Sequence, residues 1–201
     1  MVKVIIFDLW ETLGTKNVAV SKLLREKFNI ENSSDYMRKY EEAVQLHHWK
    51  TEEEMAINYL HKFGIEITKD NVRFVVDVFK EGIIKATLFD GIREFLIQLK
   101  KKGYKLGLLS NTTIFESTVL DLLNIKDLFD VVVFSWHKGN LKPSKDAFDH
   151  ILKEFKVLPK DSVFIDDTEK NIVAAKSYGI EAIRFTTLSK LISDFEKLKL
   201  V

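Results

Sequence analysis

Apolar and polar positions change period twice in this chain. Residues 2–7 form a short, β-branched apolar run that stops at Asp8, the pattern of a strand buried on both faces of a parallel sheet. From 16 to 85 the period becomes helical. Val20, Leu23, Leu24 and Phe28 share one face, and Tyr36, Tyr40, Ala43, Val44 and His47 a second. Met55, Tyr59, Leu60 and Phe63 make a third, and Val72, Val75, Val76 and Phe79 a fourth. Asn32-Ser33-Ser34-Asp35, Thr51 and Thr68-Lys69-Asp70 supply caps between them. The expectation is an all-helical block of about four helices.

From Leu88 onward strands and helices alternate. A helix over 91–102 closes at Gly103, a residue suited to a helix C-terminus. Strands are expected over 104–109, 131–134, 163–165 and 182–185, with helices over 115–123, 144–155, up to Gly179, and 188–199. This alternation predicts an α/β fold, a doubly wound parallel sheet with the helical block inserted after the first strand. The expected division is a core of 1–15 and 88–201 and a helical domain of 16–87.

In an open α/β sheet, ligands bind beyond the carboxyl ends of the strands. Three predicted strands end in polar residues: Asp8, Ser110-Asn111 and Asp166-Asp167. Taken singly, each reads as a helix cap or turn residue. Taken together, they bring three carboxylates and a Ser/Asn pair to one edge, with Lys142 nearby. Such a cluster is costly without compensation, and a hard divalent cation such as Mg²⁺ relieves it.

Composition narrows the classes. The chain has 201 residues, a formal charge of +1 and no cysteine, which excludes disulfides, thiolate chemistry and Cys-ligated metals. The near-zero charge argues against a nucleic-acid partner. No apolar run approaches the roughly 20 residues of a membrane span, and the first apolar stretch is too short for a signal sequence. A cytoplasmic protein acting on a small-molecule substrate is expected, and nothing in the pattern sets an oligomeric state.

The residues at these strand ends resemble the four motifs of the haloacid dehalogenase (HAD) superfamily, in order and over nearly the whole chain. The first, hhhhDxDxT, is similar to Val4-Ile5-Ile6-Phe7-Asp8-Leu9-Trp10-Glu11-Thr12-Leu13. The second is similar to Leu108-Leu109-Ser110-Asn111, and the third to Gly139-Asn140-Leu141-Lys142-Pro143. The fourth is similar to Val163-Phe164-Ile165-Asp166-Asp167, followed by Asn171. The insertion resembles the family's helical C1 cap. The resemblance implies a Mg²⁺-dependent phosphatase with Asp8 as nucleophile and Lys142 neutralising charge. It implies that Ser110, Asn111 and Lys142 hold the phosphoryl group. Mg²⁺ would lie between Asp8, the backbone carbonyl of Trp10, and Asp167 or Asp166.

One position departs from that family. Its phosphatases carry a second Asp two residues after the nucleophile, as general acid and base; here Trp10 stands there. An indole offers only an N–H, and general acid–base catalysis is worth roughly 10²–10⁴-fold. Glu11 and His137 are the alternative acids, although Glu11 is expected to face the cap or solvent, and His137 to pack beside Trp136. An aromatic residue at this position also resembles the superfamily's 2-haloacid dehalogenases, in which the nucleophile attacks carbon without metal. The Asp166-Asp167 pair argues against that alternative, and Arg25 and Arg38, the candidates for a substrate carboxylate, fit no motif. A third alternative is a binding or regulatory protein that has lost turnover through Trp10. His47-His48 diverge on a helix and cannot readily share an ion. The aromatic residues Tyr36, Tyr40, Trp49, Tyr59 and Phe63 are expected in the core of the helical block.

Overall fold

The computed structural model describes residues 2–200. β1 (Val4–Phe7) is followed by a two-residue β2 (Gly14–Thr15) and by four helices: α1 (Val20–Lys27), α2 (Tyr36–Val44), α3 (Glu52–Lys62) and α4 (Lys69–Ile84). A second short strand, β3 (Thr87–Leu88), leads into α5 (Ile92–Lys101), β4 (Lys105–Ser110), the single-turn α6 (Val119–Leu122) and β5 (Val131–Phe134). The chain ends with α7 (Lys145–Phe155), β6 (Ser162–Asp166), α8 (Glu169–Ser177), β7 (Glu181–Arg184) and α9 (Leu188–Lys197).

The main sheet is parallel in the order β5-β4-β1-β6-β7. β1 is central and fully buried, which explains its continuous apolar run. Its side chains still obey the two-residue period of a strand. Ile5 and Phe7 join one core with Ile92, Phe95 and Leu96 of α5 and Phe195 of α9. Val4 and Ile6 face the other core, with Phe148, Ile151 and Leu152 of α7 and Ile172 of α8. Each such side chain contributes roughly 1.5–3 kcal/mol by leaving water. Helices on both faces thus sandwich a doubly wound sheet, the predicted α/β class.

The four helices between β2 and β3 have a core of their own, built on Leu24, Tyr40, Met55, Tyr59, Leu60 and Phe79. Thr51 and Thr68 cap α3 and α4, accepting from the backbone N–H groups of Glu54 at 3.1 Å and Asn71 at 3.2 Å. Asp35 precedes α2 without a side-chain cap. Leu23 was expected on the buried face of α1 but is 38% exposed; the eight-residue helix turns only Val20 and Leu24 fully inward.

Two further differences from the sequence expectation are local. The helix expected over 115–123 is a 3₁₀ turn at Glu116–Thr118 followed by one α-turn. The pair β2–β3 was not foreseen, because two residues per strand are too few to show a period. It forms an antiparallel ribbon through which the chain leaves the sheet and returns. A Cβ on Gly14 would lie 2.3 Å from the Thr87 carbonyl oxygen, so only glycine admits this close approach. Asn17 fastens the ribbon by donating to the Lys85 carbonyl and to Thr87 Oγ1, each at 2.9 Å. Among the described residues no helix is long and apolar enough to cross a membrane.

Candidate active site

Parallel register brings the site together. Phe7 is level with Leu108 of β4 and Ile165 of β6, so the next residue of each strand emerges at the same edge. The Asp8 N–H donates to the Ile165 carbonyl at 2.9 Å, which sets Asp8 beside Asp166. Asp8, Asp166 and Asp167 each offer a carboxylate oxygen within 4.8 Å of the others.

Lys142 closes this group from the loop before α7. Its Nζ donates to Asp8 Oδ1 at 2.6 Å and to Asp166 Oδ2 at 2.7 Å. All three residues are almost wholly buried. Burial pushes the Asp8 carboxyl up to about 7, with the charge of Asp166 adding to the effect and the Lys142 ammonium opposing it. Burial works against the Lys142 charge, but Asp166 and Asp8 together hold its ammonium above the ordinary lysine range. Asp167 is raised by burial and then by Asp166.

The two acids after β6 have different surroundings. Asp166 is saturated: Oδ1 accepts from the Thr168 N–H at 2.8 Å and Asn171 Nδ2 at 3.0 Å, while Oδ2 accepts from Lys142 and from Asn171 at 2.9 Å. Among the described residues the Asp167 carboxylate accepts only from the Thr168 hydroxyl, at 3.3 Å. Its backbone N–H is fixed by Thr12 Oγ1 at 3.1 Å. Thr12 lies inside the first motif, and sequence reasoning assigned it no part.

Asn111 lines the pocket, but its amide clamps the lysine loop. Its Oδ1 accepts from the Lys142 N–H at 2.8 Å and its Nδ2 donates to the Lys142 carbonyl at 3.2 Å. Ser110 terminates β4, is 1% exposed, and shares a hydrogen bond with Thr112 Oγ1 at 2.8 Å. It does not line the open pocket.

That pocket, of about 300 Å³, lies between the sheet edge and the helical block. Asp8, Lys142 and Asp167 form its floor, and Lys16, Ser21, Tyr40, Glu41 and Gln45 contribute walls from the helical side. Trp10 also lines it, with Lys16 Nζ 4.7 Å from the ring centroid. The indole Nε1 has no hydrogen-bond partner among the described residues. Lys16 is paired with the fully buried Glu116. Glu41, on α2, reaches Asn111 Nδ2 at 3.4 Å and stands 3.9 Å from Lys170 Nζ. Burial raises its carboxyl above the usual range, and Lys170 opposes the shift. Glu41 and the Lys16–Glu116 pair escaped sequence reasoning. Each belongs to a charged residue type that ordinarily faces solvent, and no spacing marks it.

The structure also separates residues considered as substitutes. Glu11 lines the pocket rim with an exposed side chain, on a backbone of φ 58°. His137 lines a different cleft, where its Nδ1 accepts from the Phe134 N–H at 3.2 Å and its ring packs on Trp136. Burial lowers its pKa. Arg25 lies over Tyr36 and Arg38 pairs with Asp35 and Glu42; neither lines the pocket. His47 and His48 diverge, onto Trp49 and Trp136 respectively.

Asp8, Lys142 and the paired acids Asp166 and Asp167 thus stand together at the carboxyl edge of a parallel sheet. The haloacid dehalogenase-like hydrolase model matches residues 2–179, and the chain belongs to that family. It is 27% identical over 122 residues to a phosphoglycolate phosphatase of Colwellia psychrerythraea, a match covering 60% of this chain and 54% of that protein. The chain therefore spans about half the length of that relative. It is 28% identical over 202 residues to a glyceraldehyde 3-phosphate phosphatase of Pyrococcus furiosus, covering 92% of this chain and 80% of that one. The fold is shared with a HAD family enzyme of Bacteroides thetaiotaomicron solved with magnesium and inorganic phosphate, at a TM-score of 0.67 and 18% identity, covering 95% and 99% of the two chains.

Proposed function

We propose that this hydrolase is a Mg²⁺-dependent phosphatase that acts through Asp8 on a small phosphorylated metabolite. The observation that carries the proposal is the convergence of Asp8, Asp167 and Lys142 on the floor of one pocket, with Asp166 buried beneath them and bonded to Lys142. The phosphatase names of the relatives support it.

The donor set fits a hard divalent cation. Three carboxylates converge with one ammonium between them, and burial raises Asp8 and Asp167. Asp8, Asp167 and the Trp10 backbone carbonyl would hold the ion. Asp166, whose oxygens are all engaged, serves instead to position Lys142. Bound Mg²⁺ supplies positive charge against the phosphoryl oxygens and keeps Asp8 ionised.

In the first step an Asp8 carboxylate oxygen attacks phosphorus. The bond from phosphorus to the ester oxygen breaks, and the alcohol oxygen leaves with the electron pair and takes a proton from water. Lys142 balances the charge that moves from Asp8 onto the phosphoryl group, whereas Ser110, buried beneath the pocket and bonded to Thr112, is not placed to hold a phosphoryl oxygen as the resemblance implied. In the second step a water oxygen attacks the phosphorus of the acyl phosphate. The bond to Asp8 breaks, the carboxylate is restored, and inorganic phosphate and a proton are released.

Hydrolysis of an activated aryl phosphate tests this directly, since its leaving group needs no proton. Turnover is expected with Mg²⁺, abolished by EDTA, and reduced at least about a thousandfold in Asp8→Asn. Absence of turnover in the wild type sinks the phosphatase reading and leaves a binding role or halide release to be measured.

A further inference from the structure

The walls of the pocket differ in chemistry from its floor, and the difference bears on the leaving group. Both lysines that line the pocket are already matched. Lys142 is held by Asp8 and Asp166, and Lys16 by buried Glu116. On the helical wall the acid is Glu41. Its side chain is 16% exposed, the cation nearest to an ion pair with it, Lys170, is half exposed and 3.9 Å away, and Lys142 acts on it from the floor. Solvent screens a contact of that kind. No arginine lines the cavity.

The helical side also carries a buried acceptor without a partner. Gln45 lines the pocket, is 5% exposed, and its side-chain oxygen has no partner among the described residues. A buried acceptor without a partner costs roughly 1–3 kcal/mol, and a donor on the substrate removes that cost. With Glu41 beside it, the wall offers acceptors and net negative charge.

We infer that Glu41 and Gln45 select the leaving group, so that the substrate is a phosphomonoester of a neutral or cationic alcohol bearing hydroxyl or ammonium donors, and without a second anionic group. The inference rests on the phosphatase reading above. A carboxylate on the leaving group would meet Glu41 in a confined, partly desolvated space whose two lining lysines are already paired. An ammonium or hydroxyl would find acceptors already in place.

Three esters of equal length separate the possibilities: O-phosphoethanolamine, ethylene glycol monophosphate and phosphoglycolate. Each is measured with Mg²⁺ as a substrate and as a competitor of aryl phosphate hydrolysis. In the wild type, the cationic and neutral esters should exceed the anionic one at least about tenfold in kcat/KM or in competition. The better of the first two identifies the donor as ammonium or hydroxyl. Glu41→Gln should reduce the cation-to-anion ratio about tenfold, and Glu41→Lys should reverse it. Equal or better use of phosphoglycolate by the wild type overturns the inference, even if neither variant folds. So does an unchanged ratio in a folded Glu41→Gln enzyme that still hydrolyses aryl phosphate. Loss of the phosphatase reading shows separately, as absence of Asp8-dependent aryl phosphate turnover.

Discussion

Trp10 stands two residues after Asp8, the proposed nucleophile, with its ring against the Lys16 ammonium and its Nε1 without a partner among the described residues. Neither atom set transfers a proton to a departing alkoxide, and neither alternative acid fills the gap, since Glu11 is at the exposed rim and His137 in another cleft. The proposed enzyme therefore depends on the leaving group's own acidity. Trp10→Asp should raise the ratio of alkyl to aryl phosphate turnover at least about tenfold, read as kcat on matched esters. Equal gains on both, or none, would mean that residue 10 does not limit protonation. Much of this floor was legible in the sequence. Asp8, Lys142, Asp166 and Asp167 were found because four strand-end or loop motifs stand in a fixed order. Asn111 was expected to touch the phosphoryl group, yet its amide holds the Lys142 backbone. Which neighbour a short amide meets depends on loops 31 residues apart, and a one-dimensional pattern does not carry that distance.

The strands and long helices followed from periodicity, because burial on one or both faces is written into residue spacing. Shorter pieces did not. A two-residue strand has no period, so the β2–β3 ribbon was invisible, although it links the sheet edge to the helices that wall the pocket. Gly14 is its most constrained point. Gly14→Ala would place a Cβ against the Thr87 carbonyl, and the ribbon must part to admit it. A loss of about 1–3 kcal/mol in stability is expected, with a rise in KM as the helical wall shifts relative to Asp8. Thermal unfolding and steady-state kinetics check both. A variant with unchanged melting and unchanged KM would show that the ribbon yields freely and does not set the position of the wall. The same limit of scale explains the helix expected over 115–123. Thr113 and Glu116 form a reciprocal capping box, at 3.1 and 3.2 Å, but the Ser117 and Thr118 hydroxyls then donate back to the carbonyls of Ile114 and Phe115 at 2.5 and 2.9 Å, and that local bonding competes with a regular helix.

Charge at the sheet edge contributes to how the stability of the protein depends on pH, and under the proposed function to how it depends on metal. The Asp8 carboxyl is raised from 3.8 to about 7, so between those values the folded protein keeps a proton that the unfolded chain has lost. Metal-free stability attributable to Asp8 must then fall as pH rises through that window and level off above it. Asp167 and Glu41, also raised by burial, act in the same sense. Asp130 is lowered, against burial, by Lys100, the Leu106 N–H and Lys105 and acts in the opposite sense, but it sits beside the start of β4, away from the carboxyl edge, and should contribute equally with and without the ion. The difference between Mg²⁺ and EDTA therefore isolates the edge. Because Mg²⁺ at the proposed site would bind the ionised carboxylates, its stabilising effect should be small at pH 5 and grow towards pH 8. At a hundred times the dissociation constant it should reach about 2.7 kcal/mol, which for a chain of this size is a rise in Tm of roughly 5–10 °C. Asp167→Asn should remove most of that rise while leaving the Lys142–Asp166 pair intact. A Mg²⁺ effect independent of pH, or one that survives in Asp167→Asn, would place the ion elsewhere and detach the raised carboxyls from metal binding.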